Sequence, residues 1–227
     1  WWETMKYEEE NKRAQGELIV KLGYLRNASS IPHFMLDNIA KSKDDQFKEW
    51  AKIIGHYRGP LVAKFNEAKK LVNKAIKRKE KIIMFSSRKA NTDLGFKWCE
   101  KIGLPSLIVD GRVSLEIKKT TNRSERQERV DKFRYQDYSV MWAGLKALAE
   151  GMNIPEANNG VFFDLEWEPI DWIQAISRML RPQQTRVVNG TFLCHEGTID
   201  DYMAAWCFLK QRSMEESEAR PPNRRTP

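Results

Sequence analysis

Lys81-Ile82-Ile83-Met84-Phe85-Ser86-Ser87 is an apolar run of strand length that closes on two hydroxyls. Four consecutive apolar residues without polar alternation predict a strand covered on both faces. From Lys89 to Lys101 the pattern changes to an amphipathic helix stopping at Gly103, and Leu107-Ile108-Val109 reads as a second strand. The alternation then repeats. Ser124 to Phe133 reads as a helix with Val130 and Phe133 inward, Ser139-Val140-Met141-Trp142 as a third strand and Val161-Phe162-Phe163 as a fourth. A helix follows over Trp172 to Leu180, a fifth strand over Arg186 to Leu193, and a last helix over Thr198 to Leu209. Strands alternating with helices predict an α/β fold, a mostly parallel sheet with helices on both faces.

Outside this core the composition shifts. Residues 1–80 carry helical periodicity and read as a helical extension and linker. Its clearest stripe is Phe65, Ala68, Leu71, Val72, Ala75 and Ile76, beginning after Gly59-Pro60. Lys69, Lys70, Lys74, Lys77 and Lys79 fill the opposite side and read as a solvated face. Residues 81–211 form the α/β lobe. Residues 212–227 combine Glu, Arg, Pro and Ser with almost nothing apolar, the composition of a disordered tail.

The chain has 227 residues, 41% hydrophobic and 31% charged, ordinary for a protein with one substantial core. Its 39 Lys and Arg exceed its 31 Asp and Glu by eight charges, an excess suited to a polyanionic partner. Cys99, Cys194 and Cys207 are scattered without a C-x-x-C pair and read as core thiols, so neither a disulfide framework nor a metal site is expected. No apolar run reaches membrane-spanning length and no signal-peptide pattern opens the chain. An intracellular setting, cytoplasm or nucleus, is expected. A start at Trp1-Trp2 rather than Met is read as a processed product or an excised piece of something larger.

Gln174-Ala-Ile-Ser-Arg178-Met-Leu-Arg181 places one amide and two guanidiniums at i, i+4 and i+7, one helical stripe. Pro182 disfavours helical backbone at Arg181, so that arginine is expected at the helix end, pointing outward. A permanently charged planar fork there suits a triphosphate, although such pairs also occur on solvated faces. Ser86, Ser87 and Arg88 follow a strand end, where short hydroxyls and backbone amides can hold phosphate oxygens. Trp142-Ala143-Gly144 ends the third strand, its Trp a stacking platform or a core residue. Arg112, beside Gly111, is a further cation in such a position.

Taken in order, these segments resemble the second RecA-like lobe of superfamily-two helicases, and most closely the Swi/Snf-like DNA translocases. The resemblance runs from about Leu22 to Leu209. It rests on Lys81 to Ser87, Asp110-Gly111-Arg112 with Glu125-Arg126-Gln127 and Phe133, Ala149-Glu150-Gly151-Met152-Asn153, Asp164-Leu-Glu-Trp167-Glu-Pro169, and Gln174 with Arg178 and Arg181. It implies an ATP cleft completed from across by this lobe. Arg181 matches the family's arginine finger, Arg178 its partner on the same phosphates, and Gln174 a residue that orients them. Gly151, flanked by Glu150 and Asn153, would let backbone approach the nucleotide. Ser86, Ser87, Arg88, Arg112 and Trp142 would face nucleic acid, double-stranded DNA by this likeness.

The chain departs from the family text in places. Ser177 and Leu180 precede the two arginines, Pro182-Gln183-Gln184 follows them, and Leu145 or Lys146 stands where a Thr touches the DNA backbone. No G-x-x-x-x-G-K-[ST] loop and no strand-end Asp-Glu pair is present, so nothing here cradles the β- and γ-phosphates or anchors Mg2+. The reading is a lobe that completes ATP hydrolysis with an N-terminal RecA-like lobe, fused or separate, which holds the Mg2+. Its rival is a non-catalytic RecA-like module that binds nucleic acid or a partner.

Overall fold

A computed structural model of the chain describes residues 12, 15, 22–23, 25–26, 28–30, 63–149 and 152–218. The chain divides into two compact units, residues 1–63 with 195–200 and residues 64–194 with 201–227. The second unit holds the sheet. Its strands are β1 (Lys81–Ser86), β2 (Ser106–Val109), β5 (Val140–Gly144), β6 (Ala157–Phe162) and β7 (Asn189–Phe192). All pair parallel, in the order β2-β5-β1-β6-β7. The helices are α1 (Ala63–Lys77), α2 (Lys89–Lys101), α3 (Glu125–Tyr135), α4 (Leu145–Ala149), α5 (Pro169–Ser177) and α6 (Ile199–Glu218). A small antiparallel hairpin, β3 (Ile117–Lys118) and β4 (Arg123–Ser124), precedes α3 and had no signal in the sequence.

Alternate residues of each strand face opposite sides. On one side lie Ile83, Phe85, Val109, Met141, Ala143 and Phe162, covered by Val130 and Phe133 of α3 and by Trp172 and Ala175 of α5. Phe85, Phe162 and Phe192 stack across three neighbouring strands at 4.9 and 4.8 Å. On the other side α1 and α2 pack over Met84, Trp142 and Val161. Phe65 of α1 meets the Trp142 and Phe163 rings at 6.3 and 6.4 Å. The crossover from β1 to β2 runs one way along the sheet with α2 on one face, and that from β5 to β6 runs back with α4 on the other. Right-handed crossovers require this opposition.

Helix ends follow local chemistry. Gly103 sits at φ +68°, where only a residue without Cβ rests unstrained. It lets the Gly103 and Leu104 amides bond to Glu100 and Cys99 carbonyls and so close α2. Ser124 caps α3 by accepting from the Gln127 amide at 3.2 Å. The Lys81 ammonium caps the other end of α3, donating to the carbonyls of Phe133, Gln136 and Tyr138. Burial lowers its pKa, against the opposing pull of Glu156 and Asp137.

Three expectations change. The sheet-bearing unit begins at Lys64 rather than Lys81, because Phe65, Ala68, Val72 and Ala75 of α1 are core residues of that unit. Burying one such phenylalanine contributes about 2 kcal/mol, more than a linker helix could leave in solvent. Residues 212–218, expected as tail, continue α6, with Arg212 and Glu216 paired one turn apart. Residues 219–227, and Gly59-Pro60, lie outside the described residues. Cys99 and Cys207 are buried as core thiols, but Cys194 is exposed, since it follows the last strand and the buried Leu193.

In the first unit the Asp200 carboxylate is buried and accepts from the Ser29 hydroxyl and the His195 amide, each at 2.9 Å. It acts there as a tie between chain segments rather than as a free charge at a helix start.

Candidate functional site

Parallel strands give the sheet a carboxyl edge and an amino edge, and the expected site residues divide between them. At the carboxyl edge, β1 ends on Ser86 and its chain turns into α2. Asp164, two residues past the end of β6, is 5% exposed and organises that turn. Its carboxylate accepts from Ser86 Oγ at 2.6 Å, Ser87 N at 2.7 Å, Ser87 Oγ at 2.8 Å and Asn91 Nδ2 at 3.0 Å. Ser86 Oγ in turn accepts from the Arg88 amide at 3.0 Å. The serine hydroxyls therefore shape the loop internally, and backbone and cations are left to meet a ligand.

At the end of β2 the buried Asp110 holds Arg112. Nη2 of Arg112 lies 2.6 Å from Asp110 Oδ2 and 2.6 Å from Asp93 Oδ1. Burial pushes the Asp110 carboxyl up, but hydrogen bonds from the Arg112 side chain and amide outweigh it and hold the group below its ordinary value. The Asp110 and Asp93 hydrogen bonds raise Arg112 further. Arg112 is thus a clamp between α2 and β2, paired with two carboxylates before any ligand arrives. Between these loops opens a cleft of about 410 Å³, lined in part by Ser87, Arg88, Lys89, Gly111, Lys146 and Arg126. Arg126 is 4% exposed and donates to the Ala147 and Val113 carbonyls, each at 3.2 Å, pinning α4 beneath the cleft.

Trp142 belongs to neither edge, and the stacking reading is corrected. It is 1% exposed and its indole donates to Cys99 Sγ at 3.4 Å. It lies so close to α2 that a Cβ on Gly95 would stand 2.3 Å from the ring. No base can reach that face without unpacking the core. The signal was available in Gly95, which sits mid-helix where closeness to a large neighbour is its main use.

At the amino edge the arginine stretch is arranged differently from a single stripe. Gln174 is exposed on α5, which ends at Ser177; Arg178 is its C-cap and Arg181 lies in the turn beyond. The reason is Pro182. Continuing the helix would need an amide at position 182 for the Arg178 carbonyl, and proline has none. The Ile154 amide takes that carbonyl instead, at 2.8 Å. Gln184 completes the stitch, donating from Nε2 to the carbonyls of Pro155 and Ala157 at 2.7 and 2.8 Å. The loop carrying Arg178 and Arg181 is thereby fixed to the segment that leads from Asn153 into β6.

Close packing sets the height of this loop. A Cβ on Gly160 would stand 2.7 Å from Met179 Cε, and one on Gly190 2.9 Å from Ile176 Cδ1. The two glycines form the floor on which the end of α5 rests. Arg181 Nε is buried with no hydrogen-bond partner, and no carboxylate pairs with this guanidinium, among the described residues. Asn153 is exposed one residue before Ile154. Glu150 and Gly151 lie outside the described residues.

The structure thus brings Asn153, Arg178 and Arg181 to one edge and Ser86, Ser87, Arg88 and Arg112 to the other. Asp164, Asp110, Lys89 and Arg126 were missed as site residues. Asp164 and Asp110 carry the same signal, a carboxylate immediately after a buried strand of a parallel sheet.

Comparison with known proteins identifies the family and the fold. Residues 63–183 match the family model described as the helicase conserved C-terminal domain. The chain is 30% identical over 138 residues, 59% of its length, to the SWI/SNF-related matrix-associated actin-dependent regulator of chromatin subfamily A-like protein 1 of Xenopus laevis. It is 28% identical over 197 residues, 86% of its length, to the DNA excision repair protein ERCC-6-like 2 of Mus musculus. It spans only 13% and 12% of those two proteins. The crystal structure of the C-terminal part of the Fun30 ATPase domain shares the fold, with a TM-score of 0.61 at 23% identity, over 81% of this chain and 70% of that one. The chain therefore has the RecA-like α/β fold and belongs to the helicase conserved C-terminal domain family, with relatives of the SWI/SNF kind.

Proposed function

We propose that this chain is the second motor lobe of an ATP-dependent translocase or helicase acting on double-stranded DNA, with Arg181 as its arginine finger. One observation carries the reading: the Arg178–Gln184 loop is stitched to residues 154–157, so the arginine-bearing loop is held in place by a separate stretch of the chain. A guanidinium at a fixed height, with no carboxylate partner among the described residues, suits the charge that gathers on a transferring phosphoryl group. Arg178 and Gln174 would orient the same phosphates, with Glu150, Gly151 and Asn153 beside them.

These residues fit phosphate oxygens. They do not fit a metal: among the described residues no group of three His, Cys, Asp or Glu side chains could hold one. The Mg2+ and the phosphate loop would come from an N-terminal RecA-like lobe. ATP bound there supplies the phosphoryl group, and closure of the lobes would set Arg181 against it. At the opposite edge Arg88, Lys89 and Lys146 would grip the DNA backbone without reading bases. Relatives named for chromatin regulation and DNA repair favour DNA, and an intracellular, nuclear setting.

With the N-terminal lobe present, Arg181→Ala should lower DNA-stimulated ATP hydrolysis by on the order of 10³-fold while duplex affinity changes less than about twofold. Unaltered hydrolysis would remove the finger. Hydrolysis absent even in the unsubstituted pair, with duplex binding retained, would favour a non-catalytic nucleic-acid module.

A further inference from the structure

The charge of this protein is unevenly placed. Between Lys64 and Glu80 stand seven basic residues against two acidic ones, so this stretch alone carries five of the net eight positive charges. Elsewhere in the lobe many cations are neutralised, although Lys97, Lys101 and Lys132 are exposed with no carboxylate pairing among the described residues. Arg112, Lys118, Arg123, Arg129, Arg134 and Lys210 each pair with a carboxylate. On α1 Lys70 pairs with the exposed Glu67 at 2.8 Å. No carboxylate pairs with Lys74, Lys77 or Arg78 among the described residues.

Geometry separates these residues from the other lysines of the helix. Lys64 is buried and reaches the Phe163 carbonyl. Lys69 lies over the Phe65 ring at 4.6 Å. Lys70, Lys74, Lys77 and Arg78 instead surround, with Asn73, an open groove of about 430 Å³. Lys70, Lys74 and Lys77 fall at i, i+4 and i+7, a span of about 10 Å along the helix. On duplex DNA that length covers about three phosphates of one strand, at about 3.4 Å of axis each. Arg186 adds a cation at the helix end, donating to the Lys79 carbonyl at 3.4 Å.

We infer that the outward face of α1 is a second docking surface for the phosphate backbone of duplex nucleic acid, separate from the cleft at the carboxyl edge. The inference takes only the class of polyanion from the proposed function. Regular phosphate spacing favours a duplex over an acidic protein segment, whose carboxylates have no fixed repeat. Contact there would be sequence-independent, holding DNA to the lobe without requiring the ATP-facing edge.

The test measures binding of a fluorescent duplex of about 20 base pairs to the 227-residue chain, by anisotropy, from about 50 to about 200 mM salt. Replacing Lys70, Lys74 and Lys77 together by Gln should reduce the slope of log affinity against log salt by about two to three, and affinity at the lowest salt by about tenfold or more. The same number of neutralisations at Lys97, Lys101 and Lys132 should change the slope by less than about one. All six side chains are exposed, so both variants should keep the parent far-ultraviolet circular dichroism. Equal slopes for the two variants, absence of duplex binding by the parent chain, or displacement of the duplex by polyglutamate at equal charge would each overturn the inference. None of these outcomes bears on hydrolysis by the Arg181→Ala protein.

Discussion

The two edges of the sheet solve opposite problems. At the carboxyl edge the side chains that shape the loops are committed to one another: Ser86, Ser87 and Asn91 to Asp164, and Arg112 to Asp110 and Asp93. At the amino edge backbone and amide groups do the ordering, through Ile154 and Gln184. The Arg181 guanidinium there has no carboxylate partner among the described residues. A loop that must hold its shape uses side chains as internal struts. A loop that must present a charge is better held by its backbone, because every strut on the guanidinium would have to be broken before it met a phosphate.

Substitutions can break this contrast or sharpen it. The largest expected effect is the loss of hydrolysis on Arg181→Ala, because it removes presented charge and leaves the struts alone. Asp164→Ala should do the reverse. It strands the buried donors of Ser86 and Asn91 and frees Ser87, and should cost about 2–4 kcal/mol in stability. Urea denaturation reads this directly; a loss below about 1 kcal/mol would mean the loop holds itself without the carboxylate.

Gly160→Ala is intermediate. Its new methyl would press on Met179, the residue after Arg178. Hydrolysis by the two-lobe assembly should fall about tenfold or more for a stability change near 1 kcal/mol. Equal losses in duplex affinity would show that the two edges are not independent.

A smaller effect concerns pH. Asp110 is held below its ordinary value in the folded protein, so its pairing with Arg112 stabilises the fold above the unfolded carboxyl value of about 4. That contribution disappears as pH falls through the lower folded value. Asp110→Asn should flatten the fall in denaturation midpoint between about pH 5 and pH 2, relative to the parent chain. The smallest binding effect belongs to Trp142→Phe. It should cost about 1–2 kcal/mol of stability through lost packing and the lost indole bond, with duplex affinity unchanged. A clear fall in affinity with stability intact would restore Trp142 to the DNA-binding surface.

Much of the fold was legible because buried parallel strands leave unbroken apolar runs. Ile82 to Phe85 and Val140 to Trp142 need no partner information to be read as strands. The boundaries were less legible. α1 has the same periodicity whether its apolar stripe meets a linker or a sheet, and only Phe65 against Trp142 and Phe163 assigns it to the lobe. The β3–β4 hairpin is two residues on each side, too short to leave a period. Among the described candidate site residues, position in the chain was a guide to the edge reached by all but Trp142. It was a poor guide to whether the side chain would be available.

The amino-acid sequence by itself determined the alternation of strand and helix, the excess of positive charge, and the stop that Pro182 imposes on the arginine helix. Each of these is local: a run of residues, a sum, a missing amide. Only the tertiary structure decided that Asp164 consumes the serine hydroxyls, that Trp142 belongs to the core, and that Ile154 and Gln184 fix the arginine loop. Those outcomes depend on groups far apart in the chain competing for the same hydrogen bonds and the same volume, a competition that local signals such as Gly95 or a strand-end carboxylate hint at but do not settle.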